Sequence, residues 1–336
     1  MASFSDILCR TPAGLYCPPG DFYVDPVRPV ARAVITHGHS DHARPGHQAV
    51  LATRETLAVM RARCGEGFAG ASQILRYGER IDINGVAVTL HPAGHVIGSA
   101  QAAIEASGKR IIVSGDYKRR RDPTCAPFEV VACDVFISEA TFALPVFHHP
   151  EDGGEIAKLL KSLSLFPERA HLVGAYALGK AQRIIMLLRE AGYSEPVFLH
   201  GAMSGLCDLY RSFGVELGAL EPATVDGTGK DFAGQIVIAP PLALAEKWSR
   251  RFADPVICFA SGWMRIRQRA KQQGVELPLI ISDHADWREL TQTVDEIAPA
   301  ELWVTHGRDD ALVRWAELNG LRARALDLVG YDEQDD

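Results

Sequence analysis

His37-Gly38-His39-Ser40-Asp41-His42 follows the apolar run 31–36 and brings three imidazoles and one carboxylate into six residues. Neutral imidazole is a good ligand for Zn²⁺, Mn²⁺ or Fe²⁺, and a carboxylate among imidazoles lets a second ion bind beside the first. Side chains alternate along a strand, so an extended chain puts His37, His39 and Asp41 on one face. A helix starting at Ser40 would swing His42 toward the same point. The alternative is a polar turn with chance histidines, but only twelve histidines are in the chain and three fall here. The block reads as a metal site.

First-row metals take four or more donors, so other segments must complete the set. Three have the same form, an apolar strand-like run ending in His or Asp beside glycine: 86–99 with His95, 110–118 with Asp116, and 302–307 with His306. Each polar residue sits where a strand leaves its sheet, the usual place for a site on a rigid scaffold. Adjacent glycine allows the tight turn that brings backbone close to a ligand. For any one segment, a capping residue in a turn is an equal alternative; beside the histidine block, coincidence of all three is not. His47 and His91 read as packed or supporting residues, and His148-His149 as an exposed loop before Pro150.

In order along the chain, Asp25, the His-x-His-x-Asp-His block, His95 and Asp116 resemble motifs one to four of the metallo-β-lactamase superfamily. Residues 136–142 with Glu139, residues 282–287 with His284, and Thr305-His306-Gly307 resemble motifs A, B and C of its β-CASP nuclease branch. That branch includes messenger-RNA 3′-end cleavage factors, RNase J and DNA-repair nucleases. The phrases 22–26, 175–182, 260–264 and 282–287 are similar to the bacterial ligase-associated DNA exonucleases. Motif C keeps a histidine here, as in the RNA-processing arm, whereas DNA-repair members depart from it.

The resemblance implies an α/β fold, an αββα metallo-β-lactamase sandwich with an inserted α/β β-CASP domain. It implies two divalent ions, zinc with manganese as the alternative. His37, His39 and His95 would hold one, Asp41, His42 and His306 the other, with Asp116 bridging. Asp25 would support a ligand histidine and fix its tautomer; a plain Asp-Pro turn is the competing view. Asp41, Asp116, Glu139 and His284 form the implied catalytic set. His284 is the expected proton donor to the leaving oxygen, oriented by Glu139, with direct ligation by Glu139 as the rival. The implied activity is two-metal phosphodiester hydrolysis: a DNA exonuclease in repair, associated with an ATP-dependent DNA ligase and a helicase, or alternatively an RNA-processing nuclease. A lactonase-like hydrolase shares motifs one to four only, and a dead scaffold would not keep every ligand.

The elements that must position these residues change texture along the chain. Strands are expected at 30–36, 86–91, 100–105, 110–114 and 134–138, with helices near His42 and at 53–63. From about 150 to 258, strands and helices alternate, the pattern of a mostly parallel sheet covered by helices. Short strands carrying His284 and His306, a helix at 309–318 and a frayed acidic tail follow. Expected domains are therefore 1–148, an insertion at 149–260, and 261–336 returning to the first.

With 336 residues and 47% of them apolar, the chain can form more than one core. No run of eighteen apolar residues and no leader pattern is present, so a soluble cytoplasmic protein with no membrane role is expected. Seven scattered cysteines read as thiols. The net charge of −7 argues against a static nucleic-acid coat. Basic runs nevertheless flank the motifs. Lys118 and Arg119 follow Asp116, and Arg265 and Arg267 follow Ser261-Gly262, whose backbone amides are candidates for a terminal phosphate; these six are the expected substrate contacts, against the plainer alternative of solvated faces and a structural turn. Lys180 reads as a packing or capping residue, and Trp263 and Trp287 as buried indoles before base-stacking ones.

Overall fold

Along the strand Val135–Ala140, Val135 and Ile137 face one apolar layer while Phe136 and Ala140 face another. That period of two sets the layering of the first of two units in the computed structural model, which describes residues 3–224, 232–326 and 328. The chain up to His148 and again from His284 forms this unit, and His149–Asp283 forms the second.

The first unit holds two mixed sheets. One has six strands, in the order Cys9–Thr11, Gly14–Cys17, Phe22–Val24, Arg32–Val34, His47–Ala52 and Ala69–Ile74. The other has seven, in the order Arg322–Ala325, Glu301–Gly307, Val135–Ala140, Lys109–Val113, Ala100–Ala106, Val86–Pro92 and Arg80–Ile83. Leu15, Val24, Val34 and Leu51 of the first sheet share a core with Val88, Leu90, Ile104, Val113, Ile137 and Trp303 of the second. The helix Arg54–Cys64 lays Leu57 and Met60 on the outer face of the first sheet, against Ala33, Ile35 and Val50. On the outer face of the second, the helices Trp287–Ile297 and Asp309–Leu318 bury Leu290, Val294, Leu312 and Ala316 against Ile112, Phe136 and Val304. Fully burying a side chain of this size contributes about 1.5–3 kcal/mol, so the helix–sheet–sheet–helix order follows from which strand faces are apolar. The late strand Glu301–Gly307 pairs in parallel with Val135–Ala140, which joins the chain's two separated parts.

In the second unit six strands lie in the order Leu220–Pro222, Val197–Leu199, Ile236–Ala239, His171–Gly174, Val256–Ala260 and Leu277–Leu279, every pair parallel. Ile236–Ala239 and His171–Gly174 are buried throughout, as parallel strands covered on both faces must be.

Three expectations need correction. Residues 261–283 go with the second unit, because Leu277–Leu279 extends its sheet beside Val256–Ala260. No helix starts near His42; Ala43 N–H donates to the His39 carbonyl at 2.7 Å and closes a turn instead. His149 is buried, although His148 is exposed. The expected frayed tail at 329–336 lies outside the described residues. The seven cysteines are thiols, and among the described residues no helix is long and apolar enough to cross a membrane.

Candidate metal centre

The ligand block begins one residue after Thr36, and Thr36 is pinned before it. Its backbone N–H donates to Asp25 Oδ1 at 2.7 Å and its hydroxyl to Asp25 Oδ2 at 2.5 Å. The same hydroxyl lies 3.1 Å from His37 Nδ1. Asp25 also meets His42 Nδ1 at 2.8 Å, so one carboxylate ties Thr36 to a residue in the turn that follows the strand. Asp25 holds φ at +43°, a region that aspartate enters more easily than most residues. Arg63, from the helix Arg54–Cys64, donates to the Gly38 carbonyl at 2.6 Å and fixes the middle of the block.

The other segments are held with equal economy. Ser99 Oγ accepts from the N–H groups of His95 and Val96 at 3.1 and 3.2 Å. Gly115 precedes Asp116 at φ +55°, where an added Cβ would stand 2.7 Å from the Thr36 hydroxyl. His306 itself has φ +55° at the end of its strand, where the pairing with Val135–Ala140 shifts register. Its neighbour Gly307 has φ +100°, and a Cβ there would overlap the Ala140 carbonyl. Left-handed backbone at a non-glycine residue costs energy and persists only where packing enforces it.

These restraints bring the donors together. His37 Nε2, His42 Nε2 and His95 Nε2 lie 3.4, 3.6 and 3.8 Å from Asp116 carboxylate oxygens. His39 Nδ1 lies 3.0 Å from His95 Nε2, and Asp41 lies 3.6 Å from His42 Nε2. The His306 ring is centred 4.9 Å from that of His42. Three donor groups share residues: His37, His39, His95 and Asp116; His37, Asp41 and His42; and Asp116, Glu139 and His284. Donors about 2.1 Å from a common tetrahedral ion stand about 3.4 Å apart, which matches this spacing. His37 Nε2 is buried and makes no hydrogen bond among the described residues. A buried nitrogen left so is costly, and a cation would satisfy it. The donor set fits divalent metal.

Electrostatics agree. Burial holds His37 well below the usual imidazole range, and the neighbouring His42, His95 and His39 push it further. Burial and then His42 take His306 down to about 3. Both rings are therefore neutral near pH 7 and free to donate lone pairs. Burial also opposes charge on His42, but Asp116, Asp41 and Asp25 prevail and push it up to about 10. Burial raises Asp116, with Glu139 and Asp41 adding to the effect against the pull of His42.

Glu139 and His284 form a second pair beside Asp116. His284 Nδ1 lies 3.2 and 3.0 Å from the two Glu139 oxygens, and Glu139 Oε1 also accepts from Tyr117 N–H at 2.7 Å. Both carboxylate oxygens are thus engaged. Two residues on, Asp286 caps the helix Trp287–Ile297: its carboxylate accepts from Glu289 N–H at 3.0 Å and Glu289 returns the bond at 3.1 Å. Such a cap contributes about 0.5–2 kcal/mol.

The basic run after Asp116 is not a solvated strip. Lys118 is 1% exposed. Arg119 pairs with Glu296 at 2.7 Å, and Arg120 with Asp286 at 2.9 Å and Glu289 at 3.2 Å. These charges fasten the loop to the helix Trp287–Ile297. Ser261 and Gly262 are buried in the second unit, where Ser261 Oγ accepts from Trp263 N–H at 3.2 Å to start a short 3₁₀ turn. Arg265 and Arg267 are exposed, and Arg269 stacks 4.1 Å over the Trp263 ring. Thr36 adjoins His37 and Ser99 closes the segment 86–99, whereas nothing in the sequence marks Arg63.

Because Asp25 partners His42 Nδ1, opposite the candidate donor Nε2, Asp25→Asn is expected to weaken metal binding roughly 10–100-fold. Competition against a chromogenic chelator measures this, and unchanged affinity would remove Asp25 from the centre's support.

Comparison with known proteins agrees with this geometry. No protein-family model matches the chain. It is 28% identical over 329 residues to a protein named "Probable DNA ligase" from Opitutus terrae, covering 96% of this chain and 31% of that one. It is 34% identical over 130 residues to cleavage and polyadenylation specificity factor subunit 3 of Dictyostelium discoideum, covering 38% of this chain and 16% of that protein. Against endoribonuclease YSH1 of Saccharomyces cerevisiae it is 36% identical over 144 residues, 39% of this chain and 18% of the relative. The chain thus spans less than a third of the length of these curated relatives. A crystal structure of an Enterococcus faecalis protein of unknown function shares the fold, with a TM-score of 0.57 at 14% identity over 83% of this chain and 76% of that one. In its sandwich, its parallel second sheet and its clustered donors, the chain is similar to the β-CASP branch of the metallo-β-lactamase family.

Proposed function

We propose that the protein is a two-metal phosphodiesterase that shortens DNA from an end and works beside a DNA ligase. The observation that carries the hydrolytic part is the clustering of His37, His39, His95, His42 and Asp41 around Asp116. His37, His39 and His95 would hold one divalent ion, Asp41, His42 and His306 the other, with Asp116 between them. When bound, two such ions ionise water near neutral pH and offset charge on phosphate oxygens. Zinc suits the donors, and manganese would also bind.

The remaining requirement is a proton for the leaving oxygen. His284 can donate it, because its Nδ1 faces the Glu139 carboxylate at 3.0 Å, which holds the ring for proton transfer. Glu139 orients that ring; its two oxygens are already engaged by His284 and Tyr117 N–H, which disfavours metal ligation. The preference for DNA rests on similarity across 96% of the chain to the Opitutus protein called a probable DNA ligase. The second reading, an RNA-processing nuclease, is favoured by the endoribonuclease relatives and by His306.

Of the expected substrate contacts Lys118 is buried and Arg119 is ion-paired, which leaves the exposed Arg265 and Arg267 as the candidates for phosphate. Phosphate contacts there would hold the strand without reading its sequence.

The deciding experiment is digestion of end-labelled single-stranded DNA and RNA of one sequence with Zn²⁺ or Mn²⁺. Stepwise shortening of DNA is expected, and preferential RNA cleavage would transfer the protein to the second reading. Asp116→Ala is expected to lose both metal and activity. His284→Ala should keep its metal and lose about 10²–10⁴-fold in turnover; equal metal loss in both would end the proton-donor assignment. For the double change Arg265→Ala/Arg267→Ala, the salt dependence of single-strand binding, measured by anisotropy in chelator, should fall by about 0.7 in log–log slope per lost contact. An unchanged slope would exclude this surface.

A further inference from the structure

Four ionisable side chains of the second unit are buried together, and the proposed chemistry uses none of them. Lys180 and Arg183 stand nearly one turn apart on the helix Lys180–Glu190, 3% and 0% exposed, and Asp152 and Asp283 are buried with them. Arg183 pairs with Asp152 and lies 3.6 Å from Asp283. It also donates from Nη1 to the Ser282 carbonyl at 2.9 Å. Lys180 Nζ donates to the Ile281 carbonyl at 2.9 Å and meets the Asp283 carboxylate at 3.0 Å. Lys180, expected to pack or cap, thus makes a directed contact with a distant segment.

A buried charge carries a desolvation penalty of several kcal/mol, and well-packed apolar residues often stabilise a core as well or better. What the two cations can reach, and leucine cannot, is a row of three acceptors: the carbonyls of 281 and 282 and the side chain of 283. The strand Leu277–Leu279 has ended by then, so its ladder no longer satisfies those carbonyls. The next residue is His284.

We propose that Lys180 and Arg183 are positioning residues for His284, clamping residues 281–283 so that the chain enters His284 in one fixed conformation. The proposal rests on His284 acting in the reaction. A misplacement of about 1 Å can lower turnover 10²-fold, so the clamp acts on kcat and not on substrate affinity.

The test measures kcat, KM, metal content and amide exchange of residues 280–287 in full-length Lys180→Met, with Lys180→Arg as the conservative variant. A lone loss of Lys180 leaves Asp283 buried without that partner, so Lys180→Met/Asp283→Asn is made beside it, keeping the Arg183–Asp152 pair. Lys180→Met is expected to retain metal and KM within twofold, to lower kcat about 10–100-fold and to speed exchange across 280–287; Lys180→Arg should recover part of the kcat. Unchanged kcat in either folded variant overturns the clamp. If neither variant folds, exchange in the wild-type protein decides: amides of 280–287 exchanging as fast as unstructured peptide also overturn it. His284→Ala in the same assay separates the two ideas. If that change lowers kcat while the Lys180 variants do not, the clamp fails and the proton-donor role stands; if it leaves kcat intact, the proton-donor role fails and the positioning proposal with it.

Discussion

A buried carboxylate, Asp116, stands within 4 Å of three imidazole nitrogens that come from two separate segments of chain. Neither sheet alone presents that set. Asp116 leaves the seven-stranded sheet after Lys109–Val113, and His37 and His42 leave the six-stranded sheet after Arg32–Val34. The apolar core between the sheets holds the two strand ends together, and the hydroxyl of Thr36 packs where a Cβ at Gly115 would clash. The charge pattern around the centre then follows: rings driven neutral by burial on one side, and His42 kept cationic by three carboxylates on the other. A divalent ion is the species that satisfies both at once, because it replaces the proton and takes the neutral donors.

The late segment is brought to this centre by strand pairing, backed by apolar packing and ion pairs. His306 reaches it because Glu301–Gly307 lies beside Val135–Ala140, the strand that carries Glu139. The irregular register at Ala140 and Gly307, and the left-handed backbone of His306, are where regular pairing gives way to the aim of a side chain. Local strain of this kind at a donor residue is held by surrounding packing.

Much of this was legible in the sequence because it depends on short spacing. Three imidazoles in six residues declare a metal site, and the apolar run before them declares the strand. The alternation of strands and helices after residue 150 marked the parallel sheet, since covered parallel strands are apolar throughout. Other features were hidden for physical reasons. A helix near His42 is one way to turn that ring, but backbone bonds from His42 and Ala43 to the His39 carbonyl close a turn that does so. The run Lys118 to Arg121 has the composition of a solvated strip, yet Glu289 and Glu296, about 170 residues away, neutralise much of it. Nothing local distinguishes a buried Arg183 from the exposed arginines of other helices. The second unit's end at Asp283 was missed because Leu277–Leu279 is too short to announce its pairing.

Anomalous diffraction at the zinc and manganese edges from metal-loaded crystals would reveal a two-ion centre bridged by Asp116. Two peaks are expected, each about 2.0–2.2 Å from its donors. One should contact His37, His39 and His95, the other Asp41, His42 and His306, and both Asp116. A single peak, or a second ion bound without His306 and Asp116, would rule out this centre.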